Sequence, residues 1–191
     1  MSDKIIRKIA VIFVTDVVSF SKLMERDEDQ TLQSFRACKS ILDNLFEEHS
    51  GRIFNTAGDS VLAEFPSAVS AVICAAEFQK LVKERNASVE PLAEMHFRVG
   101  LNMGDVIVEG HNLYGDGVNV AARLEALSQP DGVCLSKSIH DFVSQKVDLA
   151  FKDLGDQKVK NTIVHAFDMT LEGMAVRELK QTASDVKSDG G

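Results

Sequence analysis

Hydrophobic and polar positions change period along this chain. Residues 9–14, IAVIFV, form an unbroken apolar run rich in β-branched side chains, which predicts a strand buried on both faces and ending at Thr15-Asp16. From Asp27 to His49 the apolar residues Leu32, Phe35, Cys38, Ile41, Leu42, Leu45 and Phe46 recur every three or four positions, which predicts a helix stopped by Ser50-Gly51. Residues 52–65, RIFNTAGDSVLAEF, predict a hairpin turning at Ala57-Gly58-Asp59, where glycine admits a positive φ. Ser67 is placed to cap a second helix running to about Arg85.

Two further strands are expected at 95–103 and 105–110, meeting in a turn at Gly104. A helix over Gly117–Leu127 follows, stopped by 130–132, then a strand at GVCLS, a helix near Ser138–Val143, and strands near Phe151 and Val164–Leu171. Residues 178–191 lack apolar periodicity and are expected to form a disordered tail behind a domain of residues 1–177. The order predicts an α+β sandwich of ferredoxin-like βαββαβ plan with added strands and helices, the helices on one sheet face.

Composition narrows the function. The 191 residues are 45% hydrophobic and 26% charged, with 21 basic against 29 acidic side chains and a formal net charge of -8. No basic field exists to gather a phosphate backbone, so nucleic acid is not an expected partner. No apolar run approaches the roughly 20 residues that cross a bilayer, and MSDKIIRK has no signal-peptide core, so a soluble cytoplasmic chain without membrane insertion is expected. Cys38, Cys74 and Cys134 stand far apart and read as small buried hydrophobes, and the five histidines have no ligand or triad spacing.

Candidate chemistry sits at element ends. Asp16 closes a hydrophobic strand and Asp59 tips a hairpin, so pairing of the two elements would bring two carboxylates together. With no Cys or His beside them, an oxygen-only set favours Mg²⁺ or Mn²⁺, although either aspartate alone also reads as an ordinary turn residue. After Asp16, the run Val17-Val18-Ser19-Phe20-Ser21 leads into a short helix at SKLME whose free amides could receive phosphate oxygens. In VNVAARLEAL, Asn119 and Arg123 are four apart on one helical face, suited to orienting a ribose and stabilising charge at phosphorus; the plainer alternative is an exposed pair or an Arg123–Glu125 salt bridge.

Taken together, VIFVTDVVSFSKLM, GRIFNTAGDSVLAEF, FRVGLNMGDVIVEG and LYGDGVNVAARLEAL, in this order, resemble the class III adenylate and guanylate cyclase family over about Ile9–Thr170. The resemblance implies that Asp16 and Asp59, with the Val17 carbonyl, hold two metal ions, and that Ser19, Phe20 and Ser21 form the phosphate-holding turn. It further implies that Asn119 orients the ribose, Arg123 stabilises the transition state and Lys160 grips the triphosphate. The base-selecting positions fall on Asn55 and Asn112, where the family's lysine and aspartate are replaced. An amide both donates and accepts, so these two positions do not choose the base; the resemblance to bacterial members, which usually use ATP, makes ATP the expected substrate with GTP as the alternative. Asp105 stands where some cyclases carry a phosphate-binding arginine. The implied enzyme is a homodimer with shared sites forming 3',5'-cyclic AMP, a regulatory domain lying outside this sequence. A non-catalytic nucleotide-binding module is the competing reading. A phosphoacceptor receiver is disfavoured by the expected hairpins.

Overall fold

The computed structural model describes residues 4–174, 176 and 177. The tail expected from residue 178 lies outside the described residues. Strand β1 (Ile6–Val17) runs through the middle of the sheet, with β3 (Ser60–Phe65) antiparallel on one side and β4 (Phe97–Glu109) antiparallel on the other. Strand β2 (Arg52–Ala57) closes the edge beside β3, so the order β2-β3-β1-β4, with α2 (Glu28–His49) and α3 (Ala68–Ser88) as crossovers, is the expected ferredoxin-like unit. The added strands β6 (Val133–Ser136), β8 (Thr162–Met169) and β7 (Phe151–Val159) continue the sheet beyond β4, and β5 (Asn112–Tyr114) pairs with the end of β4.

Helix ends follow local chemistry. The Asp27 carboxylate accepts from Gln30 N–H at 3.0 Å and starts α2, and Ser67 Oγ accepts from Val69 N–H at 3.2 Å and starts α3. At the far end of α2 it is Ser50, at φ 62°, that turns left-handed, and Gly51 N–H then closes on the Phe46 carbonyl at 2.7 Å. The short helix α1 (Phe20–Arg26) follows β1 as expected.

Two expectations need correction. There is no turn at Gly104: β4 is continuous from Phe97 to Glu109 and pairs with β1 from Val17↔Phe97 to Ile6↔Val108. The reversal comes later, at Gly110-His111, where Gly110 takes φ 60°. The close approach at this point belongs to Gly117 of the facing helix, where a Cβ would lie 2.7 Å from the Asp105 carbonyl oxygen and 3.1 Å from the Gly104 carbonyl carbon, whereas one on Gly104 would meet Gly117 Cα at an ordinary 3.5 Å. Nor do the helices share one face. Val11, Phe13 and Val17 pack under α2, α3 and α5 (Lys137–Val143), whereas Ala10, Ile12 and Val14 pack under α4 (Asp116–Leu127) on the other side. From Ala10 to Val14 the strand is buried at every position and needs cover on both faces, where α4 supplies the second layer, whereas Ile9, expected in the same buried run, is exposed.

Candidate active site

Alternation along β1 sends Asp16 to the α4 face, in phase with Ile12 and Val14 and opposite Arg98 of β4. The β2–β3 turn delivers Asp59 to the same strand end, where its Oδ2 accepts the Val17 N–H at 2.8 Å. The hairpin predicted from sequence thus brings the two aspartates to one place through a backbone hydrogen bond. Arg98 is steadied by donating Nε–H to the Ser128 carbonyl at 3.0 Å.

A third carboxyl joins them that the sequence reading assigned only to a possible surface salt bridge. Glu125 is 7% exposed, on the underside of α4. Burial, then its contact with and the charge of Asp16, and the charge of Asp59 push its pKa up to about 9 against the opposing pull of Arg98. Its Oε1 is buried without a hydrogen-bond partner among the described residues. The signal was present in the pattern: Val118, Ala121 and Glu125 share the helical phase i, i+3, i+7, which places a charge on the buried stripe. Backbone contact fixes the position, because a Cβ on Gly100 would fall 2.2 Å from Glu125 N and 2.4 Å from the Ala121 carbonyl oxygen.

Residues two apart on a helix point about 200° apart, so Arg123 cannot follow Glu125 inward. Arg123 is half-buried, Asn119 is exposed, and both lie on the outer side of α4 with no side-chain hydrogen bond or ion pair among the described residues. The alternative Arg123–Glu125 pair is therefore absent. Within one chain, the carboxylate group and the Asn119/Arg123 pair face different ways.

The remaining candidates are dispersed. Val17 is buried at the end of β1. Ser19, at φ 57°, is the residue before α1 and makes no side-chain cap. Phe20 packs against Phe35 with centroids 5.8 Å apart, and Ser21 is exposed. Asn55 and Asn112 lie on β2 and β5, which pack together; Arg52 of β2 donates to the His111 carbonyl beside β5 at 2.7 Å and to Glu64 of β3 at 2.9 Å. Lys160 is exposed in the β7–β8 turn at φ 55°, on the far edge of the sheet and four strands from β1, so one chain does not bring it to Asp16. Asp105 pairs with Arg7 at 3.2 Å, leaving a cation beside the position where an arginine was missing.

Asp16, Asp59 and Glu125 are all oxygen donors, carry more negative charge than Arg98 offsets, and include an orphaned buried oxygen, a set that fits a hard divalent cation. A tighter cluster lies elsewhere: Glu48, His49 and Glu77 have ligand atoms within 4.8 Å of one another at the end of α2 remote from the β1–α1 turn, where His49 Nε2 and Glu77 Oε2 form an interhelical pair at 3.0 Å. The three cysteines are buried and free, as expected, and burial above all pushes Cys74 and Cys134 up to about 12.

The family model for the adenylate and guanylate cyclase catalytic domain matches residues 1–173. The chain belongs to that family. The cyclase domain is 46% identical over 160 residues to "Putative adenylate cyclase 3" of Rhizobium meliloti (strain 1021), covering 83% of this chain and 27% of that protein. It is 33% identical over 128 residues to an adenylate cyclase of Streptomyces coelicolor, covering 66% and 32%. The chain thus spans about a third or less of the length of these relatives. Among solved structures, an adenylate/guanylate cyclase/hydrolase from Silicibacter pomeroyi superposes with a TM-score of 0.80 at 34% identity, covering 87% of this chain and 98% of that one. Cyclases of this family draw on divalent metal and a nucleoside triphosphate, in keeping with the oxygen-rich cluster beneath α4 of this cyclase domain. No helix among the described residues is long and apolar enough to cross a membrane.

Proposed function

We propose that residues 1–177 of this cyclase domain convert ATP to 3',5'-cyclic AMP and pyrophosphate at two equivalent sites in a homodimer, in the cytoplasm. The observation that carries this reading is the division of labour on α4: Glu125 faces inward to Asp16 and Asp59, while Asn119 and Arg123 face outward with no side-chain partner among the described residues. A two-fold dimer presents the outward pair of one copy to the carboxylates of the other, and so builds two whole sites from four halves.

Asp16 and Asp59, with the Val17 carbonyl, would hold two Mg²⁺ or Mn²⁺ ions. When bound, such ions lower the pKa of the ribose 3'-hydroxyl and neutralise charge on the triphosphate. The protein's own part is positional. Asn119 holds the ribose, so that the 3'-oxygen faces the α-phosphorus in line with the departing pyrophosphate. Arg123 meets the charge that develops on the α-phosphoryl oxygens. Ser19, Phe20 and Ser21 form the turn that receives phosphate oxygens, and Lys160 reaches the triphosphate from the partner copy. Arg7, held beside Asp105, supplies positive charge where the family arginine is replaced. No protein nucleophile is required, and no covalent enzyme intermediate forms.

The test is incubation of purified protein with ATP or GTP and Mn²⁺ or Mg²⁺, with the products separated by chromatography. Cyclic AMP is expected as the main product with Mn²⁺, with less cyclic GMP. Binding of nucleotide without turnover under every metal condition would instead establish the non-catalytic module, and product from fully chelated protein would remove the metal assignment.

A further inference from the structure

Asn55 and Asn112 lie on β2 and β5, two strands in contact, but their amides are not equivalent. Asn55 is exposed, sits at the register irregularity of β2, and makes no side-chain hydrogen bond among the described residues, so its amide turns freely. Asn112 is locked. Its Oδ1 accepts the Leu113 backbone N–H at 2.8 Å, and its Nδ2 donates to the Tyr114 hydroxyl at 3.0 Å. A backbone N–H can only donate, so a flipped amide would set donor against donor. The ambivalence expected from an asparagine at this position is removed by its own strand.

The lock has a consequence for Tyr114. Its oxygen already accepts from Asn112, so the phenolic proton is directed to an acceptor elsewhere. The side chain is 46% exposed, on the same side of β5 as Asn112, and Arg52 holds this short strand against β2 through the His111 carbonyl. A fixed amide and a hydroxyl with a directed proton therefore stand side by side on β5, and the neighbouring strand β2 carries a free amide.

We propose that Tyr114 is a specificity-determining residue for the purine base, offering its hydroxyl proton to an acceptor on the base edge beside the fixed Asn112 amide. The inference rests on reading Asn55 and Asn112 as the base-facing pair. Adenine sets a ring nitrogen acceptor beside an amino donor, whereas guanine sets an exocyclic oxygen acceptor beside a ring N–H donor. A hydroxyl fixed relative to Asn112 meets these two acceptors at different offsets, so its removal affects the two bases unequally. A freely turning Asn55 does not discriminate by itself.

The experiment compares wild type, Tyr114→Phe, Asn112→Asp, their double variant, and Asn55→Lys with Asn112→Asp. For each, kcat/KM is measured for ATP and GTP with Mn²⁺, together with the Kd of non-cyclisable ATP and GTP analogues, which reads base recognition independently of turnover. Tyr114→Phe keeps the ring and is expected to change the ATP to GTP ratio, in kcat/KM and in analogue affinity, by about threefold or more. Asn112→Asp gives the phenol a carboxylate to donate to and so redirects its proton; the two changes are then expected to be non-additive by a similar factor. A Tyr114→Phe protein whose ratio and both affinities stay within about 1.5-fold of wild type overturns the proposal. If Asn112→Asp still shifts the ratio in that case, the base-facing reading stands and Tyr114 alone falls. If Asn112→Asp and the Asn55→Lys pair are also silent, the base-facing reading falls with it.

Discussion

The two faces of the sheet are built in opposite ways. Under α2 and α3 the packing is aromatic: Phe13, Phe46 and Phe65 meet with centroids 5.2 to 5.7 Å apart, and Phe78 meets Phe97 at 5.1 Å. Under α4 aliphatic side chains such as Ile12, Val14 and Leu113 are joined by small residues and bare backbone, Ala10, Ala121, Gly100 and Gly117, that let the helix rest on the strands. Large side chains exclude much apolar surface from water and supply stability. Close backbone contact excludes less, but main-chain atoms in contact cannot turn aside, so it fixes where the helix sits. The thick face carries the fold, and the thin face sets the distance between Glu125 and the aspartates.

The largest expected effect separates those two tasks. Asp16→Ala is expected to lower turnover by about 10³-fold or more while the melting temperature moves little. Phe13→Ala is expected to cost about 3–5 kcal/mol of stability, read by urea denaturation, with turnover per folded molecule retained. Loss of activity in proportion to stability in both variants would dissolve the contrast.

Complementation sharpens it next. Asp16→Ala and Arg123→Ala homodimers are each expected to be nearly inactive. In an equal, freely exchanging mixture half the dimers are mixed and each has one intact site, so about a quarter of wild-type activity returns. A mixture that stays inactive, with subunit exchange shown by pull-down, would place the whole site in one chain.

Gly100→Ala tests the thin face alone. Its Cβ would meet main-chain atoms of Glu125 and Ala121 that cannot turn aside, so α4 must lift. A loss of about 1–3 kcal/mol is expected, accompanied by a loss of activity measured on folded protein, which Phe13→Ala lacks.

The smallest effect is electrostatic. Burial, with Asp16 beside it, pushes the Glu125 pKa up to about 9 in the folded protein from an ordinary 4.5. Between those values the folded chain keeps a proton that the unfolded chain has lost. The stability of chelator-treated protein should therefore fall as pH rises across this window, by up to about 1.4 kcal/mol per pH unit, and level off below it. Glu125→Gln should flatten that slope in melting temperatures taken from pH 5 to 9.

These features were unequally legible in the sequence. Helix α2 could be read to its ends because Asp27 caps it and Ser50-Gly51 reverses the chain, both short-range events. Asp16 and Asp59 could be placed together because a hairpin has one strand to pair beside. Gly104 misled for a long-range reason: a glycine between two apolar stretches reads as a turn, and only the pairing of β4 with β1, a strand some ninety residues earlier, shows that the chain runs straight through it. Similarly, nothing in a one-dimensional pattern could show that the Leu113 N–H locks Asn112. Glu125 was readable, and the helical phase of Val118 and Ala121 carried the signal.

The bond from Val17 N–H to Asp59 Oδ2 joins the two predicted metal-binding segments with a donor that belongs to the main chain. Every amino acid except proline brings that donor to position 17, so the joint is written in only one of its two partners. Mutational scanning should show the asymmetry directly. Position 17 should accept apolar residues of similar volume and reject proline even where the rest of the strand would bear it, while position 59 should tolerate almost nothing.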